Sequence, residues 1–207
     1  MARKLVTKPR KHAIQERSRA TVDPLVEATA RILVREGFDR ASTNRIAEVA
    51  GVSIGSLYQY FPSKEALVAA VIDRHHEDVM QHVRSAMAEV ASQPIEIGVR
   101  RLVTAAIEAH RIDPRLHRVL AEQIPRTGRL EHVEVFNREA FGLFQRYLEA
   151  HAGEIRDVDV GLAAFVCGAS IEALSHTAVL HRPGMLSEDA IESLVEEATR
   201  LVVGYLR

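Results

Sequence analysis

The chain has 207 residues, 47% of them hydrophobic and 27% charged, proportions that fill a packed core without staples and exclude a disordered, collagen-like or low-complexity polymer. Its single cysteine, Cys167, excludes an internal disulfide and a thiolate metal site and fits a reducing compartment, so a cytoplasmic location is expected. The net charge of −1 conceals a split: residues 1–64 hold 12 Lys and Arg against 6 Asp and Glu, the remainder 15 against 22, as in a nucleic-acid-binding head on an acidic body.

Residues 1–20 carry seven Lys and Arg against one Glu with no sustained apolar periodicity, which predicts a flexible basic arm. The arm either aids solubility or follows phosphates. It lacks the hydrophobic stretch of a secretory signal, and no apolar run in the chain approaches the roughly 18 residues that cross a bilayer, so no membrane association is expected. From Thr21 the apolar residues Val22, Leu25, Val26, Ile32 and Leu33 recur at threes and fours, with Asp23 and Pro24 marking a helix start and Gly37 a stop. Ser42 or Thr43 caps a second helix through Ile46, Ala47, Val49 and Ala50, which Gly51 ends. A third begins near Ser53, runs to about Tyr60 and closes at Pro62. Beyond it the periodicity predicts only helices, over 63–90, 95–111, 114–122, 129–151, 158–180 and 187–205, separated by Pro and Gly breakers. No stretch alternates as a strand does, so the fold is all-α: a helix-turn-helix domain over 21–67 and a helical body over 68–207.

Residues 46–60, IAEVAGVSIGSLYQY, have the spacing of a helix-turn-helix. Ala47 is small where two helices approach, Gly51 suits a left-handed turn, and Val52 and Leu57 seal the pair from inside. That leaves Ser53, Ile54, Gly55, Ser56, Gln59 and Tyr60 outward, able to reach base edges, with Tyr58 beside the flanking backbone. Gly37-Phe38, Ile46-Ala47, Ala50-Gly51-Val52-Ser53, Gly55-Ser56-Leu57-Tyr58, Tyr60-Phe61 and Ser63-Lys64-Glu65-Ala66-Leu67 together resemble the DNA-binding domain of the tetracycline-repressor (TetR/AcrR) family, over roughly residues 20–70. The resemblance implies an all-helical homodimer whose third helix reads the major groove of double-stranded operator DNA. It also implies contacts from Thr43, Asn44 and Arg45 at the second-helix start and from Lys64. Gln59 and Tyr60 depart from the basic or aromatic-plus-histidine pattern of many members, and Asn44 stands where a charge is frequent.

In the body, residues 160–180 are apolar nearly all round and rich in small residues, and 187–205 carry a stripe of Ile191, Leu194, Val195, Ala198, Leu201, Val202 and Tyr205. These last two helices are expected to form a homodimer interface. A sensor of an unknown small-molecule effector needs an apolar cavity with a few polar groups. Candidates are Val103, Ile107, His110, Leu120, Phe136, Phe141, Phe144, Phe165, Glu172 and His176, each of which also reads as ordinary core. Glu172 and His176, four apart, either line that cavity or satisfy each other at a buried site, the plainer alternative. His75, Asp78 and His82 share a helical face, which reads better as a solvated polar surface than as a cation site; no metal and no cofactor are expected. His110, His117 and His132 lie on separate predicted helices. With no phosphate loop, nucleophile elbow or zincin signature, an enzyme is not expected. The expected function is a ligand-responsive transcriptional regulator, a repressor that an effector releases from a palindromic operator. The alternative is a dimeric DNA-binding protein whose body only dimerises, and an unfilled cavity separates the two.

Overall fold

The computed structural model describes residues 16–122, 126–182, 184 and 187–207, and the side chains of 20–122, 134–182, 184 and 187–207. Residues 1–15 of the expected basic arm lie outside the described residues. Among the described residues the regular structure is entirely helical: α1 Glu16–Glu36, α2 Thr43–Ala50, α3 Ile54–Tyr60, α4 Lys64–Val90, α5 Ile95–His110, α6 Pro114–Glu122, α7 Arg126–Ala150, a 3-10 turn Ala152–Glu154, α8 Val160–His181 and α9 Glu188–Leu206. The predicted helices from 63 onward recur within three residues at either end. The first does not: α1 begins at Glu16, ahead of the expected start near Thr21, and Pro24 lies inside it. Proline removes one backbone donor, and the carbonyl thereby deprived belongs to Ala20, which is exposed and can be hydrated.

The chain divides into two compact units: residues up to His76 with Arg115–Val133, and Glu77–Pro114 with Glu134–Arg207. In the first, α1 packs on α2 and α3, and α2 on α3. Leu25, Leu33, Ile46, Leu57 and Phe61 are essentially inaccessible, joined by Leu67, Val71 and Ile72 of α4 and by Leu116, Val119 and Leu120 of α6. The joints are held by local chemistry. Gly51 takes φ +66 and ψ +28, and its amide and that of Val52 bond the carbonyls of Glu48 and Ala47 at 3.1 and 3.0 Å. Such a left-handed residue at a helix end favours glycine because a Cβ crowds the following carbonyl. Ser42, Ser53 and Ser63 then open α2, α3 and α4, each side chain accepting the amide of the residue three further on.

In the second unit α5 packs on α8 and α9, and α8 on α9. Ile95, Val99, Val103 and Ile107 of α5 face Ala163, Ala164 and Cys167 of α8 and Val195, Ala198 and Val202 of α9. Small residues on α8 permit this approach. By length and composition α8 is apolar enough to cross a membrane, which corrects the expectation from its sequence: Glu172 is its sole Asp, Glu, Lys or Arg, and Gly, Ala and Ser dilute its apolar residues without adding charge. Here much of it is core. Leu57 joins the turn to α1, so Leu57→Ala should lower stability by about 2–5 kcal/mol. Urea denaturation followed by circular dichroism measures this; a loss below about 1 kcal/mol would mean that the head does not depend on that contact.

Candidate DNA-reading head and ligand cavity

The head presents a polar face built on α2 and α3. Asn44, Arg45, Ser53, Ile54, Gly55, Tyr58 and Gln59 are exposed; Thr43 and Ser56 are half-buried. The Thr43 hydroxyl bonds the Tyr58 hydroxyl at 3.0 Å and ties the two helices together on this face. Ser53 and Ser56 bond through their hydroxyls at 2.8 Å. Arg45 is held by Glu48 at 2.8 Å and stands 3.7 Å from Glu36, and these carboxylates push its pKa further up. A Cβ added at Gly55 would meet only the Ser53 hydroxyl, at 3.9 Å, so this stretch of backbone is open to close approach.

Two expected contact residues sit differently. Tyr60 is half-buried, its ring against the head core, because at the end of α3 it lies on the same side as Leu57. Lys64 carries a cation at a helix N-terminus, where an external anion would be the natural counterpart. Its amine instead donates to the Phe38 carbonyl at 2.9 Å and lies 4.1 Å from the centre of the Phe38 ring. A carbonyl dipole and a π face, both inside the head, therefore offset the positive charge.

The second unit contains a half-open cavity of about 90 Å³, several times the ~10–15 Å³ that one water molecule requires. It is lined by Val79, Val83 and Met87 of α4, Leu102, Ala106 and His110 of α5, Phe136, Asn137, Ala140, Phe141 and Phe144 of α7, and Gly168, Ile171 and Glu172 of α8. Of the ten residues expected to line it, His110, Phe136, Phe141, Phe144 and Glu172 do. Val103 and Ile107 face the α8–α9 core and are buried there. Leu120 belongs to the core of the head unit, because α6 packs there. Phe165 is 54% exposed and meets Phe141 edge-on, with 5.7 Å between ring centres. His176 is not a lining residue; it sets its ring edge-on to His110, 6.3 Å away. Glu172, four residues before it on the same helix, lines the cavity.

Sequence reading missed the contribution of α4, where attention fell on the polar face of His75, Asp78 and His82 and not on Val79, Val83 and Met87, and that of Gly168. A Cβ at 168 would come within 2.7 Å of the Phe141 ring, so the absent side chain makes room for an aromatic one across the cavity. His117 stands apart from His110: its Nδ1 lies 3.1 Å from Nε2 of His75 within the head unit. The side chain of His132 lies outside the described residues. The His82 ring bonds the Asp78 backbone carbonyl at 2.9 Å, and no group of three metal-ligating side chains occurs among the described residues.

His110 is almost completely buried, and its Nδ1 lies 2.7 Å from the Ala106 carbonyl. A carbonyl only accepts, so Nδ1 carries the proton. Burial, the largest effect, pushes the pKa of this imidazole down, and His176 adds to it, against the Ala106 bond and Glu172, which pull the other way, so the ring is neutral near pH 7. Burial also pushes the Cys167 thiol up to about 11, which leaves it inert as a nucleophile. Because the unfolded chain protonates His110 more readily than the folded one, stability held above the ordinary histidine value of about 6.5 is lost as the pH falls below it. His110→Asn keeps a donor for Ala106 and should flatten the fall in melting temperature between about pH 7 and 5. An unchanged pH slope would remove His110 as its source.

Residues 94–206 match the model of the tetracyclin repressor-like C-terminal domain, and residues 25–71 that of the bacterial regulatory proteins of the tetR family. The nucleoid occlusion factor SlmA of Haemophilus ducreyi is 28% identical over 120 residues, 58% of this chain and 56% of that protein. The HTH-type transcriptional regulator TtgR of Pseudomonas putida is 30% identical over 105 residues, 51% of this chain and 50% of that one. The chain thus spans about half the length of the curated relatives it matches. In fold it is similar to the transcriptional regulator FadR of Bacillus subtilis, solved in complex with stearoyl-CoA, with a TM-score of 0.68, 17% identity, and coverage of 89% of this chain and 99% of that one. With head and body both matched, this chain belongs to the TetR family of bacterial transcriptional regulators.

Proposed function

We propose that this protein is a ligand-responsive repressor that binds a palindromic operator as a homodimer and leaves it when a small molecule occupies the body. The observation that carries the reading is the cavity of about 90 Å³, since a body that served only to dimerise would be packed to ordinary density. The second reading is a DNA-binding dimer whose body only dimerises. The cavity weighs against it.

In the proposed mechanism α3 enters the major groove with Ser53, Ile54, Gly55, Ser56, Tyr58 and Gln59 toward the duplex, while Thr43, Asn44 and Arg45 reach the adjacent backbone. Lys64 and Tyr60, tied into the head, position that surface. The homodimer forms through α8 and α9, which carry Leu162, Phe165 and Leu201, each more than half exposed; such large apolar side chains on neighbouring helices call for a cover. Effector occupancy biases α4, which supplies Leu67, Val71 and Ile72 to the head core and Val79, Val83 and Met87 to the cavity. Such a regulator acts in the cytoplasm.

Selecting bound fragments of genomic DNA with purified protein across a salt series tests the reading. One palindromic site with a steep salt slope is expected; only unspecific fragments would favour the second reading. On that site Tyr58→Ala and Gln59→Ala should each weaken binding about tenfold or more without changing the sedimentation of the dimer. Leu201→Glu should yield monomers by sedimentation, and an unchanged dimer would place the interface elsewhere.

A further inference from the structure

The walls of the cavity are apolar apart from a few groups, and those groups have a definite electrical sign. Glu172, on α8, is the one formally charged side chain among the described lining residues. No Lys, Arg or His forms an ion pair with it among the described residues. The nearby imidazole of His110 does not supply the missing charge, because it is neutral, with its Nδ1 proton on the Ala106 carbonyl. Asn137 can serve a donor or an acceptor and so favours neither sign. Phe136, Phe141 and Phe144 add rings, whose faces are negative and attract cations.

A molecule entering this space strips water from the Glu172 carboxylate. A purely apolar ligand leaves that charge desolvated and unpaired, and an anionic ligand adds repulsion between like charges. A ligand with a positively charged group beside Glu172 and an apolar remainder against the rings meets both demands. Resting on the effector reading above, we infer that the effector is a lipophilic cation, an amine or quaternary ammonium with an apolar body, and that Glu172 is its counter-ion. Carboxylate and acyl-phosphate ligands are disfavoured in this cavity, even though a solved relative in fold holds an acyl thioester.

Three probes of equal chain length and different charge provide the test: decyltrimethylammonium, 1-decanol and decanoate, each below its micellar concentration, titrated calorimetrically into the full-length protein. The cation should bind at least about tenfold more tightly than either of the others. In Glu172→Gln, an isosteric change that removes only the charge, this preference should fall to about threefold or less while decanol affinity is retained. Decanoate binding as tightly as the cation, or an undiminished preference in Glu172→Gln, overturns the assignment and leaves the sensor reading standing. If none of the three binds, the sensor reading falls with it. Should Glu172→Gln fail to fold, the comparison of the three probes on the unaltered protein still decides.

Discussion

One helix has to satisfy two separate hydrophobic cores. α4 runs from Lys64 to Val90 without a glycine or proline, about 40 Å at 1.5 Å per residue. Its first turns bury Ala66, Leu67, Val68, Val71 and Ile72 in the head, and its later ones contribute Ala86 and Val90 to the core of the body. The two cores have no residue in common, and α4 contributes to both. In the proposed mechanism, the lack of breakers over 27 residues lets the effector bias α4 as one piece.

Each unit handles its polar groups differently. In the head, polar side chains at the joints are consumed in fixing geometry: three serines cap three helices, Thr43 holds Tyr58, and the Lys64 amine closes on Phe38. These bonds fix the backbone that carries the exposed face, which lowers the entropic cost of docking it. In the body, a carboxylate is left on the wall of an apolar space, an arrangement that costs stability unless something else completes it. The head thus closes its polar groups on one another, while the cavity wall keeps a carboxylate among apolar side chains.

Much of this was legible in the amino-acid order. Gly51 and the small Ala47 fixed the helix-turn-helix because a left-handed turn and a close helix contact admit few alternatives, and the breakers at Pro94, Pro114 and Gly153 bounded the later helices. The start of α1 was misread because Pro24 fits a first turn better than an interior position; it is tolerated where the carbonyl it leaves without a donor belongs to the exposed Ala20. The cavity was half legible. Phe136, Phe141 and Phe144 fall on one face of α7 by helical spacing, but which faces of α4, α5, α7 and α8 converge depends on crossing angles that spacing does not encode. Leu120 shows the difficulty: its periodicity suits any core, and it is α6 packing back on the head that decides which one. Lys64 shows another. A cation at a helix start reads as a phosphate contact, and only the fold brings the Phe38 carbonyl beneath it.

Gly168 has a consequence for how such a protein diversifies. The Phe141 ring occupies the space that a side chain at 168 would fill, so even alanine there must push an aromatic wall of the cavity aside. Neither residue belongs to the core that supports the DNA-reading helices. A change in this one codon would therefore reshape the chamber by displacing an aromatic ring while the head core stays as it is. Under the proposed function, a chamber built this way can change the chemistry it accepts while the head keeps the DNA site it reads.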